Sequence, residues 1–414
     1  MTERRVVITG LGCVTALAES PEMLFEALCQ GKSGVSTIES FDTTEYPVKF
    51  GGEIKTFDAG NYIDSRDAKR MDRFTQMSLA SSIQAVNDSG LDFEKEDKRR
   101  VGVIVGTGIG GIKEIEEQHV RLLNKSPRKV SPFCVPKLMG NAACGCISIQ
   151  YGLKGPNMCV VTACASASHA IGEAFWNVLS GRSDICVTGG SEAALTPIGL
   201  ASFCALKSLS TRNDDPQHAS RPFDKDRDGF VLSEGAGAII LEDYDHARKR
   251  GAKIYAELLG YGATGDGYHI TAPLADGAGA AEGMRLALKQ AKLNPEQIDY
   301  INAHGTSTQL NDAAESFAIK SVFGEYAYKL AINSSKSCLG HSLGASGAIE
   351  LIVCSKSIEK GMLHPTANLQ EVAEDCDPKM DFVPNQARQA DIKVVMSNSL
   401  GFGGHNCSLI IGKV

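Results

Sequence analysis

The chain has 414 residues, of which 43% are hydrophobic, 22% charged and 6% aromatic, a balance that suits a large buried core and excludes a collagen, a disordered tail or a disulfide-dense mini-protein. Lys and Arg number 42 against 49 Asp and Glu, a net charge of −7, which argues against a nucleic-acid binder, whose domain is normally basic. The 13 cysteines lie at irregular intervals, several in apolar runs (Cys159, Cys186, Cys354), with no CxxC pair or zinc spacing, and read as free thiols of a reducing compartment.

The N-terminus, MTERR, runs straight into Val6-Val7-Ile8-Thr9-Gly10, a strand-like stretch with no leader before it. No apolar stretch approaches the roughly 18 residues of a membrane span, so a soluble, cytoplasmic protein with no membrane partner is expected. Gly31-Lys32-Ser33 imitates the end of a phosphate-binding loop, but Glu26 stands where its first glycine belongs. Arg66, Lys69, Arg70 and Arg73 fall at i, i+3, i+4 and i+7, so a helix there would carry one basic face. Residues 101–106 are apolar throughout, as in a strand buried on both faces of an α/β sheet. The GxGxxG of residues 106–111 follows, yet no acidic residue stands about 20 positions on to hold a ribose, and dinucleotide binding fails on context.

Residues 158–163 form another strand-like run, and Cys164 ends it. A helix follows from Ser166, with Ala167, Ala170, Ile171, Ala174, Phe175, Val178 and Leu179 at helical spacing and Gly181 as its stop. A strand–turn–helix elbow presents a nucleophile at the sheet edge, and the helix N-terminus favours the thiolate. Residues 184–190 give a further buried strand. Asp224, Asp226, Asp228 and Gly229 begin like a calcium loop, but Lys225 and Arg227 are wrong for a cation cage and Glu234 comes one position early.

Residues 298–303 read as a strand ending in His304-Gly305-Thr306-Ser307-Thr308. Residues 330–335 read as another, followed by Lys336 and Gly340-His341. Ligands of open α/β sheets collect at the carboxyl ends of strands, so a thiol, two imidazoles and a lysine at three such ends make a plausible acyl-transfer site. A helix over 348–358 stops before Gly361. Finally, 231–241 and 394–411 both read as strand, glycines, strand. That echo predicts a duplicated fold, with residues 1–250 carrying the cysteine and 251–414 the two histidines.

Residues 162–167 (Thr-Ala-Cys-Ala-Ser-Ala), 302–308 (Asn-Ala-His-Gly-Thr-Ser-Thr), Lys336 with Gly340-His341, and 398–404 (Asn-Ser-Leu-Gly-Phe-Gly-Gly) resemble the β-ketoacyl-acyl-carrier-protein synthases. Ser210-Thr211-Arg212-Asn213 and Arg221-Pro222-Phe223-Asp224 add to the likeness, which covers nearly the whole chain and is closest to the synthase II type. The resemblance implies an α/β, thiolase-like fold of duplicated halves in a layered αβαβα arrangement, in a homodimer. It implies a decarboxylating condensation that lengthens a fatty acyl chain by two carbons on an acidic acyl carrier protein. The alternatives are polyketide duty or a non-catalytic partner subunit, although such partners lack the nucleophile. Initiating synthases carry Asn where this chain has His341.

By the same resemblance Cys164, His304 and His341 are catalytic, and Lys336, Glu350 and Phe402 support them. Thr306, Thr308, Ile109 and Thr271 bind substrate, and Arg66, Lys69, Arg70 and Lys207 receive the carrier. No cofactor is implied beyond the phosphopantetheine that arrives on the carrier, and no metal beyond a structural monovalent cation near Asn302 and Glu350. Leu400 and His405 depart from the family pattern, where Phe and Thr are common.

Overall fold

The computed structural model describes residues 4–414, and the first three residues of the stretch read as leaderless lie outside them. Ten strands make one hydrogen-bonded sheet: β1 (Val6–Thr15), β2 (Val101–Gly106), β3 (Asn157–Val160), β4 (Ile185–Glu192), β5 (Gly235–Asp243), β6 (Ala256–Gly265), β7 (Tyr300–Asn302), β8 (Ala331–Asn333), β9 (Val394–Gly401) and β10 (His405–Gly412). Their order across the sheet is β8-β7-β9-β10-β6-β1-β5-β4-β2-β3. β1, β2 and β4 are buried along their whole length, which is why they lack the alternation of a half-exposed strand.

The order divides into two runs of one design. In the first, β2 pairs in parallel with β3 and β4, and β5 runs antiparallel to β4 and β1. In the second, β7 pairs in parallel with β8 and β9, and β10 runs antiparallel to β9 and β6. A short antiparallel ladder, from Val6 opposite Leu258 to Ile8 opposite Ala256, joins them. The helices match too. α1 (Arg73–Ser89), α2 (Ile112–Asn124) and α3 (Ser166–Leu179) lie between strands of the first run, and α4 (Ala278–Ala291), α5 (Gln309–Phe323) and α6 (Ser346–Lys360) lie at the same places in the second.

α3 and α6 pack on each other between the two runs, α1 covers β1 and β5 from outside, and α4 covers β6 and β10 with α5 against it. The result is the thiolase-like αβαβα layering. Both central helices are buried on almost every side, as a helix enclosed by sheet must be.

The echo is therefore present, but not where residues 231–241 placed it. No hairpin forms there: β5 runs unbroken from Gly235 to Asp243, and residues 231–234 make only isolated bridges, Leu232 to His341 and Ser233 to Gly52. The counterpart of the β9–β10 hairpin is the β4–β5 pair, whose strands are separated by residues 193–234. All 13 cysteines are free. Among the described residues no helix is long and apolar enough to cross a membrane.

Candidate active site

Within each run the parallel strands bring their carboxyl ends to one side, and the loops that follow them meet around a cavity of about 500 Å³. Cys164 stands in the turn between β3 and α3. Its neighbour Ala163 has φ +50°, a left-handed conformation that costs a non-glycine residue about 1–3 kcal/mol. Ser166 holds the turn: its Oγ accepts from the Thr162 N–H at 2.9 Å and donates to the Ala163 carbonyl at 2.7 Å. The β9–β10 hairpin closes over this turn. A Cβ on Gly401 would come within 2.8 Å of the Thr162 carbonyl oxygen, so only glycine lets the neighbouring Phe402 N–H reach the Cys164 sulfur.

The thiol is less acidic than its helix terminus suggests. Burial pushes it up to about 12, against the opposing pull of the Lys336 charge and the Phe402 N–H. A cysteine only 7% exposed is too poorly hydrated for the helix terminus to offset.

His304 follows β7 and His341 follows β8. Both line the cavity with Cys164, and the sulfur and one nitrogen of each imidazole lie within 4.8 Å of one another. The rings stand almost perpendicular, with centroids 5.2 Å apart. Burial, and after it the Lys336 charge, holds both imidazoles well below the ordinary histidine range, so both are neutral.

Lys336 Nζ lies 3.3 Å from His304 Nδ1 and pairs with Glu350. An ammonium can only donate, so Nδ1 accepts and the ring proton sits on Nε2. Ser346 Oγ, 3.0 Å from His341 Nδ1, sets the same tautomer when it donates. A divalent metal would need the His304 Nε2 lone pair, so this ring is arranged to donate a hydrogen bond rather than to ligate. Burial raises the Glu350 carboxyl against the pull of Lys336. One oxygen of Glu350 and the Asn302 Oδ1 are buried without a hydrogen-bond partner.

The structure brings Ile109, Thr271, Thr306 and Thr308 to the same cavity, together with Phe402 and Leu400. Thr306 Oγ1 and Thr308 Oγ1 are 3.0 Å apart. Lys207 is exposed at the cavity lining, whereas Arg66, Lys69 and Arg70 are exposed away from it.

The single basic helical face does not form. Helix Ser65–Ala68 starts at the Asp64 cap and ends before Lys69, and α1 starts afresh with Asp72 as its cap. Arg73 turns inward to a two-pronged ion pair with Glu234, at 2.7 and 2.8 Å, and donates to the Ile54 carbonyl.

Three buried carboxylates were not foreseen. Glu315 accepts the N–H groups of His304 and Gly305, each at 2.8 Å, and Asp312 accepts those of Thr306 and Ser307 at 3.0 and 3.1 Å. They sit one helical turn apart on α5, the i, i+3 spacing that was the only available signal. Glu192, at the end of β4, accepts the N–H groups of Gly108 and Ile109, which leaves the GxGxxG loop no free donors for a phosphate. Asp224 accepts three N–H groups and organises the loop that imitates a calcium site.

Two family models match, "Beta-ketoacyl synthase, N-terminal domain" over residues 3–247 and "Beta-ketoacyl synthase, C-terminal domain" over 255–370. The chain belongs to the β-ketoacyl synthase family. It is 48% identical over 413 residues to the 3-oxoacyl-[acyl-carrier-protein] synthase 2 of Synechocystis sp., covering 100% of this chain and 99% of that one. Among solved structures it resembles the ishigamide ketosynthase/chain length factor, with TM-score 0.94 and 35% identity over the whole of both chains. A type II polyketide ketosynthase, solved with its acyl-carrier protein and bound to the hexaketide, aligns as completely, with TM-score 0.93 and 36% identity.

Proposed function

We propose that this β-ketoacyl synthase is a 3-oxoacyl-[acyl-carrier-protein] synthase of the synthase II type, catalysing decarboxylating condensation in fatty-acid elongation. The observation that carries the reading is one thiol and two imidazoles, both held neutral by burial, within 4.8 Å of one another in a single cavity. A full-length relative named for this activity supports it.

Cys164 sulfur attacks the acyl thioester. The C–S bond to the carrier breaks, the acyl group moves to Cys164, and the thiol proton leaves on the carrier's phosphopantetheine thiol. The N–H groups of Cys164 and Phe402 form the oxyanion hole, donors fixed before charge develops. Malonyl-carrier then loses carbon dioxide. His304 and His341 donate to the thioester oxygen and stabilise the enolate, whose carbon attacks the acyl carbonyl. The C–S bond to Cys164 breaks, the 3-oxoacyl chain stays on the carrier, and the Cys164 thiolate left behind takes a proton from solvent. Lys336 and Glu350 keep the His304 proton on Nε2.

Thr306 and Thr308 bind the phosphopantetheine arm, Thr271 lines its entry, and Ile109 lines the acyl pocket. The unpartnered oxygens of Asn302 and Glu350 suit a structural monovalent cation, through which no step runs. No other cofactor is required.

The carrier docks through exposed Arg66, Lys69, Arg70 and Lys207, whose charge suits an acidic partner. A second copy covers the open edge at β3, where Met158, Val161, Phe133 and Val135 are 41 to 60% exposed. Residues 1–250 and 251–414 form the two halves, and the compartment is the cytoplasm.

Polyketide duty is the second reading, favoured by the two structural neighbours. Incubation with saturated acyl carriers should add one acyl mass to the protein and, with malonyl-carrier, yield the chain two carbons longer. Cys164→Ala should lose both. Near-normal elongation by that variant would reject the nucleophile. Repeated extension without reduction, in preference to a single step on saturated chains, would favour polyketide duty.

A further inference from the structure

Glu192 is fully buried, has no hydrogen bond to any of the three proposed catalytic groups, and gathers four donors from two loops. One carboxylate oxygen accepts Thr107 Oγ1 at 3.1 Å and the Ile109 N–H at 3.2 Å. The other accepts the Gly108 N–H at 2.6 Å and the Gly344 N–H at 3.0 Å. Residues 107–109 follow β2 in the first run. Gly344 lies three residues beyond His341 in the second.

The fit leaves no room for adjustment. A Cβ on Gly108 would stand 2.6 Å from Glu192 Oε2, one on Gly344 would stand 2.7 Å from it, and the latter would also meet the Gly108 nitrogen at 2.2 Å. The two loops therefore touch directly, with the carboxylate across their joint. Each loop puts a side chain into the cavity wall, Ile109 from the first and Leu343 from the second. Leu343 is held at φ +46°, a conformation that persists only where the surroundings impose it.

We propose that Glu192 is a positioning residue that fixes the width of the acyl pocket by latching the Ile109 wall to the loop after His341. This rests on the reading of the cavity as an acyl site served by Cys164. With the latch closed, Ile109 cannot retreat without dragging the loop that carries His341. The wall thus resists long acyl chains, and acyl length is felt where the second substrate reacts.

The test is Glu192→Gln, which keeps the volume but turns one acceptor oxygen into a donor. Two N–H or O–H groups then lose their partner, whichever oxygen is replaced. Acyl transfer to Cys164 is followed by intact mass, with short-chain and long-chain acyl carriers offered separately. The ratio of long-chain to short-chain rates should rise about tenfold, the scale of one lost charge-assisted hydrogen bond. An unchanged ratio, or an equal fall at every length, would overturn the latch and leave a purely structural carboxylate.

Should Glu192→Gln not fold, Thr107→Val removes the hydroxyl that donates to Glu192 and accepts the Gly110 N–H. It should raise the ratio by up to about tenfold, the scale of one lost hydrogen bond to a charged group, and an unaltered ratio would overturn the proposal equally. Wild-type protein that takes no acyl group on Cys164 would sink the reading of the site itself, which the parallel wild-type arm reveals independently.

Discussion

His304 and His341 are 2% and 3% exposed, and this burial, ahead of the Lys336 charge, is what keeps both imidazoles neutral. A neutral imidazole that receives a proton donor at Nδ1 must present N–H at Nε2, as His304 does beside Lys336, and the proposed mechanism uses such donors on both rings to stabilise negative charge developing in the cavity. That charge appears on the thioester oxygen mainly after malonyl decarboxylation. His304→Ala and His341→Ala should therefore still accept an acyl group on Cys164, while carbon dioxide release falls by about 10²–10³, the usual cost of one oxyanion donor. Intact mass reads the first half-reaction and trapped carbon dioxide the second. Lost acylation with decarboxylation preserved would reverse the assignment. The thiol and imidazoles were legible in the sequence because each stands in a glycine-rich or small-residue turn at a strand end. Glu192, Asp312 and Glu315 were not, because a carboxylate that accepts backbone N–H groups has no partner in sequence. On a helix such as α5 it looks like a solvated charge.

The segment from Arg66 to Arg73 shows what spacing alone misses. Its basic residues keep helical periodicity, but Asp64 and Asp72 both accept from N–H groups two residues ahead and so begin separate helices. Those caps were visible in the sequence, and each favours a new helix start because it accepts a first-turn N–H that has no i−4 carbonyl. The consequence is a division of labour. Arg73→Ala removes the partner of nearly buried Glu234, and should lower unfolding free energy by about 3 kcal/mol, as breaking a buried pair does. Lys69→Glu with Arg70→Glu should leave stability within about 0.5 kcal/mol, since exposed charges contribute little. That double variant should instead raise KM for carrier-bound substrates, with an effect that shrinks in salt, and spare small acyl thioesters. Urea unfolding and steady-state rates separate the two outcomes. Equal damage to both substrate classes would remove these residues from the docking face. The glycine echo was misplaced for a related reason: residues 193–234 intervene between β4 and β5, and a pairing across so long an insertion leaves no local pattern.

Across the whole molecule, two runs of identical topology close on one cavity, so a thiol and two imidazoles from distant parts of the chain are buried together. The cost of that burial falls on the histidines. Of nine in the chain, His169, His304, His341 and His364 are all held below their ordinary range, with desolvation the first cause in each. His364 isolates the effect, because it lies outside the cavity lining. It is fully buried, its Nδ1 meets the Pro365 carbonyl at 2.9 Å, and its Nε2 has no partner. Burial brings it down to about 4, whereas an unfolded chain protonates it near its ordinary 6.5. A depressed folded value means that its stability contribution is complete above pH 6.5 and is lost as pH falls toward 4. The loss can reach about 1.4 kcal/mol per pH unit, or roughly 3 kcal/mol in all. His364→Gln cannot take up that proton. Whatever constant penalty the amide carries at neutral pH, the variant should gain on wild type steadily as the pH is lowered. Urea unfolding of both proteins from about pH 7 to about pH 5 measures the difference directly. A gap that stays constant over that range would mean that His364 titrates alike in the folded and unfolded chain, and that burial does not set its charge.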